Sequence, residues 1–204
     1  MILLLSTSDT DLLSARASGA AFRLANPSRT AVEDLPALAD GADLVVVRFL
    51  GGYRDWQEGF DTLLRLPLPV VLLGGEQLPD AELMRHSTVP AGVAAQAHAY
   101  FAEGGPANLG ELHNFLSDTI LLTGHGFAPP ATTPTWVQLE RTAKDGDGPA
   151  VAVIYYRAHH LAGNTAFVET LCEAIDDANT GSARPPAASI ASHSVSTNAV
   201  LPAR

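Results

Sequence analysis

The chain has a single cysteine, Cys172, among its 204 residues, so no disulfide can form within it and a small disulfide-stapled scaffold is excluded. No apolar stretch approaches the roughly 20 residues needed to cross a bilayer. Met1-Ile2-Leu3-Leu4-Leu5 lacks a basic segment before it and is broken at once by Ser6-Thr7-Ser8-Asp9, unlike a secretory signal. A cytoplasmic protein is therefore expected. Basic residues are scarce, 12 Lys and Arg against 22 Asp and Glu, for a formal net charge of −10. Phosphate contacts need a cationic surface, so no nucleic-acid partner is expected. The sequence has no GxxxxGK[ST] or GxGxxG phosphate fingerprint, no HExxH or CxxC arrangement and no GxSxG elbow. Its own residues thus predict neither an ATP site nor a resident metal nor a nucleophilic hydrolase, and Cys172 reads as a small core residue on the apolar face of a helix.

What is present is apolar sequence in helix and strand periods. Hydrophobic residues make up 47% of the chain, enough to bury a core. Short apolar runs at residues 2–5, 22–25, 44–50 and 69–73 alternate with amphipathic stretches at 9–17, 53–65 and 79–85. Alternating strands and helices predict an α/β fold on a parallel sheet of flavodoxin or Rossmann type, joined by right-handed crossovers. The runs at 2–5, 44–47 and 70–73 are apolar throughout, the mark of strands covered on both faces. A helical part follows, with Val93, Ala94, Ala97 and Phe101 on one face of the first helix. Gly104-Gly105 makes the break, and Leu109, Leu112, Leu116 and Ile120 stripe the second helix.

Residues 1–123 thus read as one α/β domain. The Gly-, Pro- and Thr-rich residues 124–149 read as a linker with one docked patch around Trp136, and residues 150–177 as the start of a second α/β unit. From residue 178 the composition turns to Ala, Ser, Pro and Thr without an acidic residue after Asp177. Such a segment is expected to be a disordered tail, since it carries little of the apolar density that offsets chain entropy.

The densest cluster of chemistry is Tyr155-Tyr156-Arg157-Ala158-His159-His160-Leu161-Ala162-Gly163-Asn164-Thr165. It sits between a β-branched run at 151–156 and a helical stripe formed by Phe167, Val168, Leu171, Cys172 and Ile175. In open α/β sheets such strand-to-helix turns line the ligand crevice, and a Gly-Asn-Thr helix entry offers free N–H groups to an anion. The plainer reading is that Asn164 or Thr165 caps the helix and the histidines are solvated. Gly51-Gly52 and Gly74-Gly75-Glu76 also stand at strand ends, where tight turns are their ordinary role. His98 and His113 fall on helices beside apolar positions and read as structural; His125, between two glycines, is a candidate loop ligand.

The string YYRAHHLAGNTAFVE at residues 155–169 resembles the large subunit of aerobic, ATP-dependent cobaltochelatase, a relative of the magnesium chelatase large subunit. The strings LLLSTSDTD at 3–11, GADLVVVRFLGG at 41–52, LGGE at 73–76, STVPAGVAAQAHAY at 87–100, EGGPANLGELHNFLSD at 103–118 and TGHGFAPP at 123–130 carry the same likeness in the same order. It covers residues 1–177 and stops near Ala178, which implies a tail foreign to the family and an N-terminal fragment of a much longer subunit, through truncation or a frameshift. The resemblance implies insertion of Co²⁺ into hydrogenobyrinic acid a,c-diamide during cobalamin synthesis, with ATP hydrolysed on separate partner subunits. Corrin and Co²⁺ are then substrates, no cofactor resides in this chain, and the fragment alone is expected to be inactive. Arg157, His159, His160 and Asn164 are the candidate substrate-binding residues, and no catalytic residue is assigned. A non-catalytic α/β docking module and a magnesium-chelatase-type fragment are the alternatives.

Overall fold

The computed structural model describes residues 1–132, 138–139, 151–180 and 188–193. In the first part, four strands are each followed by a helix or helices: β1 (Ile2–Ser6), α1 (Asp9–Ala17), β2 (Phe22–Ala25), α2 (Leu35–Ala39), β3 (Leu44–Phe49), α3 (Gln57–Leu64), β4 (Val70–Gly74), α4 (Ala81–Met84), α5 (Ala91–Glu103) and α6 (Gly105–Ile120). The strands form a parallel sheet in the order β2-β1-β3-β4, with Leu4 opposite Leu24 and Val46, and Val47 opposite Leu72. The expected α/β fold is what the chain adopts. The expected helices lie at 9–17, 57–64 and 81–84, the second preceded by a 3-10 turn at Tyr53–Trp56. Helix α2 was not expected, because five residues with a proline at the second carry too little periodicity to read.

Every residue of β1, β3 and β4 is buried. Side chains alternate across a strand, so successive residues feed two cores. Ile2, Leu4, Leu44, Val46, Val71 and Leu73 pack against α1, α5 and α6 through Ala15, Ala94, Ala97, Tyr100, Leu109 and Leu112. Leu3, Leu5, Val45, Val47, Val70 and Leu72 pack on the other face against Leu35, Phe60, Leu63 and Leu83. Each fully buried aliphatic or aromatic side chain contributes about 1.5–3 kcal/mol, so this double-sided burial fixes the register. The α5–α6 corner falls at Gly104 and Gly105, whose φ values of 69° and 84° belong to the left-handed region.

The first compact unit runs to Thr132, beyond the composition change at residue 124. Residues 123–131 lie along α6 because one helix face supplies their hydrogen bonds. Asp118 accepts from Thr123 Oγ1 and the N–H groups of His125 and Gly126, Glu111 accepts from the N–H of Ala128, and Asn108 bonds both backbone groups of Ala131. From α5, the Tyr100 hydroxyl donates to the carbonyl of Ala128. Trp136 lies outside the described residues.

The second unit spans Thr133–Arg204 and is built on β5 (Gln138–Leu139), β6 (Val151–Tyr156) and β7 (Ala188–His193), with α7 (Arg157–Leu161) and α8 (Ala166–Thr180). The order is β5-β7-β6, with β6 and β7 parallel and β5 antiparallel to β7. Val168 and Cys172 of α8 are buried against Tyr155 and Val153 of β6. Strand β7 falls where composition predicted no structure. Ladder bonds come from backbone groups common to all residues, so an Ala- and Ser-rich segment can pair with the β-branched β6. Among the described residues, no helix is long and apolar enough to cross a membrane.

Candidate functional site

Strand β6 hands directly to α7 at Tyr156–Arg157, so Arg157, His159 and His160 stand just beyond the carboxyl end of a parallel strand. Helix α7 is then stopped by its own carbonyls. The N–H of Gly163 bonds the carbonyl of His160 at 3.0 Å and the N–H of Asn164 bonds that of His159 at 2.8 Å. With Gly163 at φ 68°, this pair of bonds is a Schellman ending, in which a left-handed glycine lets the chain turn back. Thr165 opens α8: its carbonyl accepts the N–H groups of Val168 and Glu169. The Gly-Asn-Thr string is therefore a helix stop followed by a helix start.

The four predicted residues occupy different depths. Arg157 is buried, His159 and His160 are half-buried, and Asn164 is exposed. The His159 ring meets the edge of Phe167 at 5.2 Å between centroids, and Phe167 in turn meets Tyr155 at 6.2 Å. The His159 ring thus lies against an exposed aromatic of α8, and Asn164 is tied to His159 through the backbone. The arrangement places a guanidinium, two imidazoles and an amide around one turn. These groups can pair with carboxylates, accept protons or donate hydrogen bonds. Among the described residues no group of three or more His, Cys, Asp and Glu side chains could hold a metal ion.

Elsewhere the glycine turns serve packing. A Cβ built on Gly75 would stand 2.9 Å from the Leu50 backbone, so the β3 and β4 turns approach each other closely. His98 is buried, with Nε2 3.1 Å from the Glu76 carbonyl, and burial lowers its pKa. His113 meets the Phe22 ring at 5.1 Å, and burial lowers its pKa too. His125 is exposed, and its N–H is held by Asp118. The group that the sequence reading missed is Arg48, buried in β3 and paired with Asp11 at 2.9 Å. A lone cation inside the run Val45-Val46-Val47-Arg48-Phe49 was its signal, because an arginine in a buried strand needs a partner. Burial pushes the Asp11 carboxyl above the usual carboxylate range, against the pull of Arg48 and the Ser6 hydroxyl.

A family model described as CobN/Magnesium Chelatase matches residues 98–199, which include the whole β6–α7–α8 turn. The chain belongs to this family. The match also crosses the stretch after residue 178, so the tail expected to be foreign to the family from the end of the resemblance falls within it. The family relatives include the aerobic cobaltochelatase subunit CobN of Pseudomonas aeruginosa, 29% identical over 171 residues, covering 74% of this chain and 14% of the relative. CobN of Sinorhizobium sp is 30% identical over 213 residues, covering 86% of this chain and 16% of that protein. Among solved structures, the catalytic subunit of cobaltochelatase from Mycobacterium tuberculosis matches with a TM-score of 0.73 and 54% identity, over 95% of this chain and 16% of that one. The chain therefore spans about one-sixth or less of the length of these family members.

Proposed function

We propose that this chain is part of the large subunit of a cobaltochelatase, which inserts Co²⁺ into hydrogenobyrinic acid a,c-diamide while partner subunits hydrolyse ATP. The observation that carries this reading is the 54% identity to the M. tuberculosis catalytic subunit, maintained over 95% of the chain. Within it, the β6–α7–α8 turn is the substrate-binding element. Arg157 pairs with a peripheral carboxylate of the macrocycle, His159 and His160 stand ready to accept pyrrolic protons, and Asn164 donates to the ring periphery. Metal insertion needs the macrocycle held, deformed and deprotonated while the cation loses its water, and a positioned set of imidazoles serves the proton step. ATP binding belongs to separate subunits in this reading, in keeping with the lack of a Walker motif in the sequence.

The test uses a full-length family subunit in which this chain replaces the matching segment, assayed with its ATPase partners, cobalt and the corrin diamide. Cobalt insertion at a rate near that of the parent subunit is expected. A chimera that folds and assembles yet inserts no cobalt, or that inserts magnesium into a porphyrin instead, would overturn the reading.

A further inference from the structure

Strand order in the first unit reverses between β1 and β3, and the crevice outside the carboxyl ends of two such strands is where open α/β sheets take their ligands. Here that crevice is filled from within. Arg48, opposite Ser6 in the ladder, donates from Nη1 to Asp11 Oδ1 at 2.9 Å and to the Phe101 carbonyl at 3.4 Å, and from Nη2 to the Gly75 carbonyl at 3.0 Å. Its guanidinium carbon lies 5.2 Å from the centre of the Phe101 ring. Asp11 is held in turn by the Ser6 hydroxyl at 2.8 Å. Arg48 is 8% exposed and Asp11 9%, so the pair is shut off from water.

The surrounding turns are stitched over this pair. Thr7 Oγ1 accepts the N–H of Leu50 at 2.9 Å, joining the turn after β1 to that after β3. Gly75 packs on the Leu50 backbone so closely that a Cβ would stand 2.9 Å from it, joining the β3 and β4 turns. Helix α5 is tied to the β4 turn by His98 on the Glu76 carbonyl at 3.1 Å and by Gln77 Nε2 on the Ala102 carbonyl at 3.0 Å. The first turn of α1 carries Asp9 and Asp11, which place negative charge where an incoming anion would need positive potential.

We infer that the Arg48–Asp11 pair fills the switch-point crevice from within, the Asp11 carboxylate standing beside Arg48 where an exogenous anion would otherwise sit and Arg48 clamping α1, the β4 turn and α5 onto the sheet. The first unit is therefore a ligand-independent scaffold, although its strand order is that of a ligand-binding fold. A buried ion pair of this kind has two signatures. Removing one partner strands the other charge, whereas removing both together is tolerated. The space left by a deleted guanidinium should also accept a small guanidinium from solution.

The full chain is compared as wild type, Arg48→Met, Arg48→Met with Asp11→Leu, and Arg48→Ala, by thermal unfolding. Arg48→Met should lower the Tm by roughly 10 °C or more, and adding Asp11→Leu should recover at least half of that loss. Millimolar N-ethylguanidine should raise the Tm of Arg48→Ala and leave the wild type unmoved. Inorganic phosphate and AMP should not shift the wild type. Where Arg48→Met gives no soluble protein, the double variant decides: soluble, folded protein supports the inference and insoluble protein overturns it. Stabilisation of the wild type by phosphate or AMP that disappears in Arg48→Met would show Arg48 to be a ligand-binding cation and overturn it. Equal destabilisation in the single and double variants without guanidine rescue would do so as well.

Discussion

The Asp118 carboxylate receives the backbone N–H of His125 at 2.7 Å and that of Gly126 at 2.6 Å, so the strap of residues 123–131 begins by wrapping around one side chain of α6. Gly124 and Gly126, both at φ 78°, allow the backbone to curl toward that carboxylate. Although desolvation pushes its pKa up, the bonds from His125, Thr123, Gly126 and Gly124 together outweigh it and hold Asp118 below the ordinary carboxylate value.

A pH dependence of known sign follows from Asp118. Its folded pKa is lowered, so its hold on the strap is fully present above the ordinary carboxylate range and is lost as pH falls toward the lowered value. Amide exchange protection at His125 and Gly126 should be constant near neutrality, fall in strong acid, and be low at every pH in Asp118→Ala. Protection at Leu112 in the middle of α6 should stay unchanged in that variant. Equal protection of the strap in wild type and variant would refute the arrangement.

Two glycine substitutions should act in opposite directions. At Gly75 a Cβ would meet backbone atoms of Leu50 at 2.9 Å, and backbone cannot swing aside. Gly75→Ala should therefore cost about 1–3 kcal/mol by urea denaturation. At Gly92, in the first turn of α5, an added Cβ meets nothing within 4 Å. Gly92→Ala should stabilise by about 0.4–1 kcal/mol through reduced freedom of the unfolded chain.

Gly163 tests the helix stop inside the candidate site. It sits at φ 68° with open space around its Cα, so alanine there meets a conformational penalty and no clash. Gly163→Ala should cost about 1 kcal/mol, while Gly163→Asn should cost less, since asparagine tolerates that conformation. If the two variants unfold alike, the left-handed stop is not what ends α7.

The proposed roles of Arg157 and of the histidines can be told apart. In a full-length family subunit, Arg157→Met should weaken corrin binding roughly tenfold or more, as expected for loss of a charge-assisted carboxylate contact. His159→Gln and His160→Gln should lower the rate of cobalt insertion with less effect on affinity. Fluorescence titration with the corrin diamide measures the first, and single-turnover insertion the second. Unchanged affinity in Arg157→Met would remove that residue from the site.

The chain by itself is not expected to insert cobalt. Purified protein with Co²⁺, ATP and the corrin diamide should give product at the uncatalysed rate, and turnover above that rate would assign the chemistry to residues within this segment.

Local sequence settled what local physics controls. The apolar runs at 2–5, 44–47 and 70–73 read as strands covered on both faces, and the Gly104-Gly105 pair as the end of one helix and the start of another. Gly163 likewise marked the turn that carries Arg157, His159, His160 and Asn164 on one short stretch of chain. What the sequence could not decide was held by partners far apart along it. Arg48 meets Asp11 across 37 positions and the Phe101 carbonyl across 53, which turned a charge in an apolar strand into the centre of the first unit. Asp118 gathered a glycine- and proline-rich stretch that composition alone assigned to a linker, and β7 paired with β6 in a segment that hydrophobicity alone assigned to a tail. Backbone hydrogen bonds and buried ion pairs depend on which groups meet in space, and side-chain composition records that only when the partners lie within the same few turns.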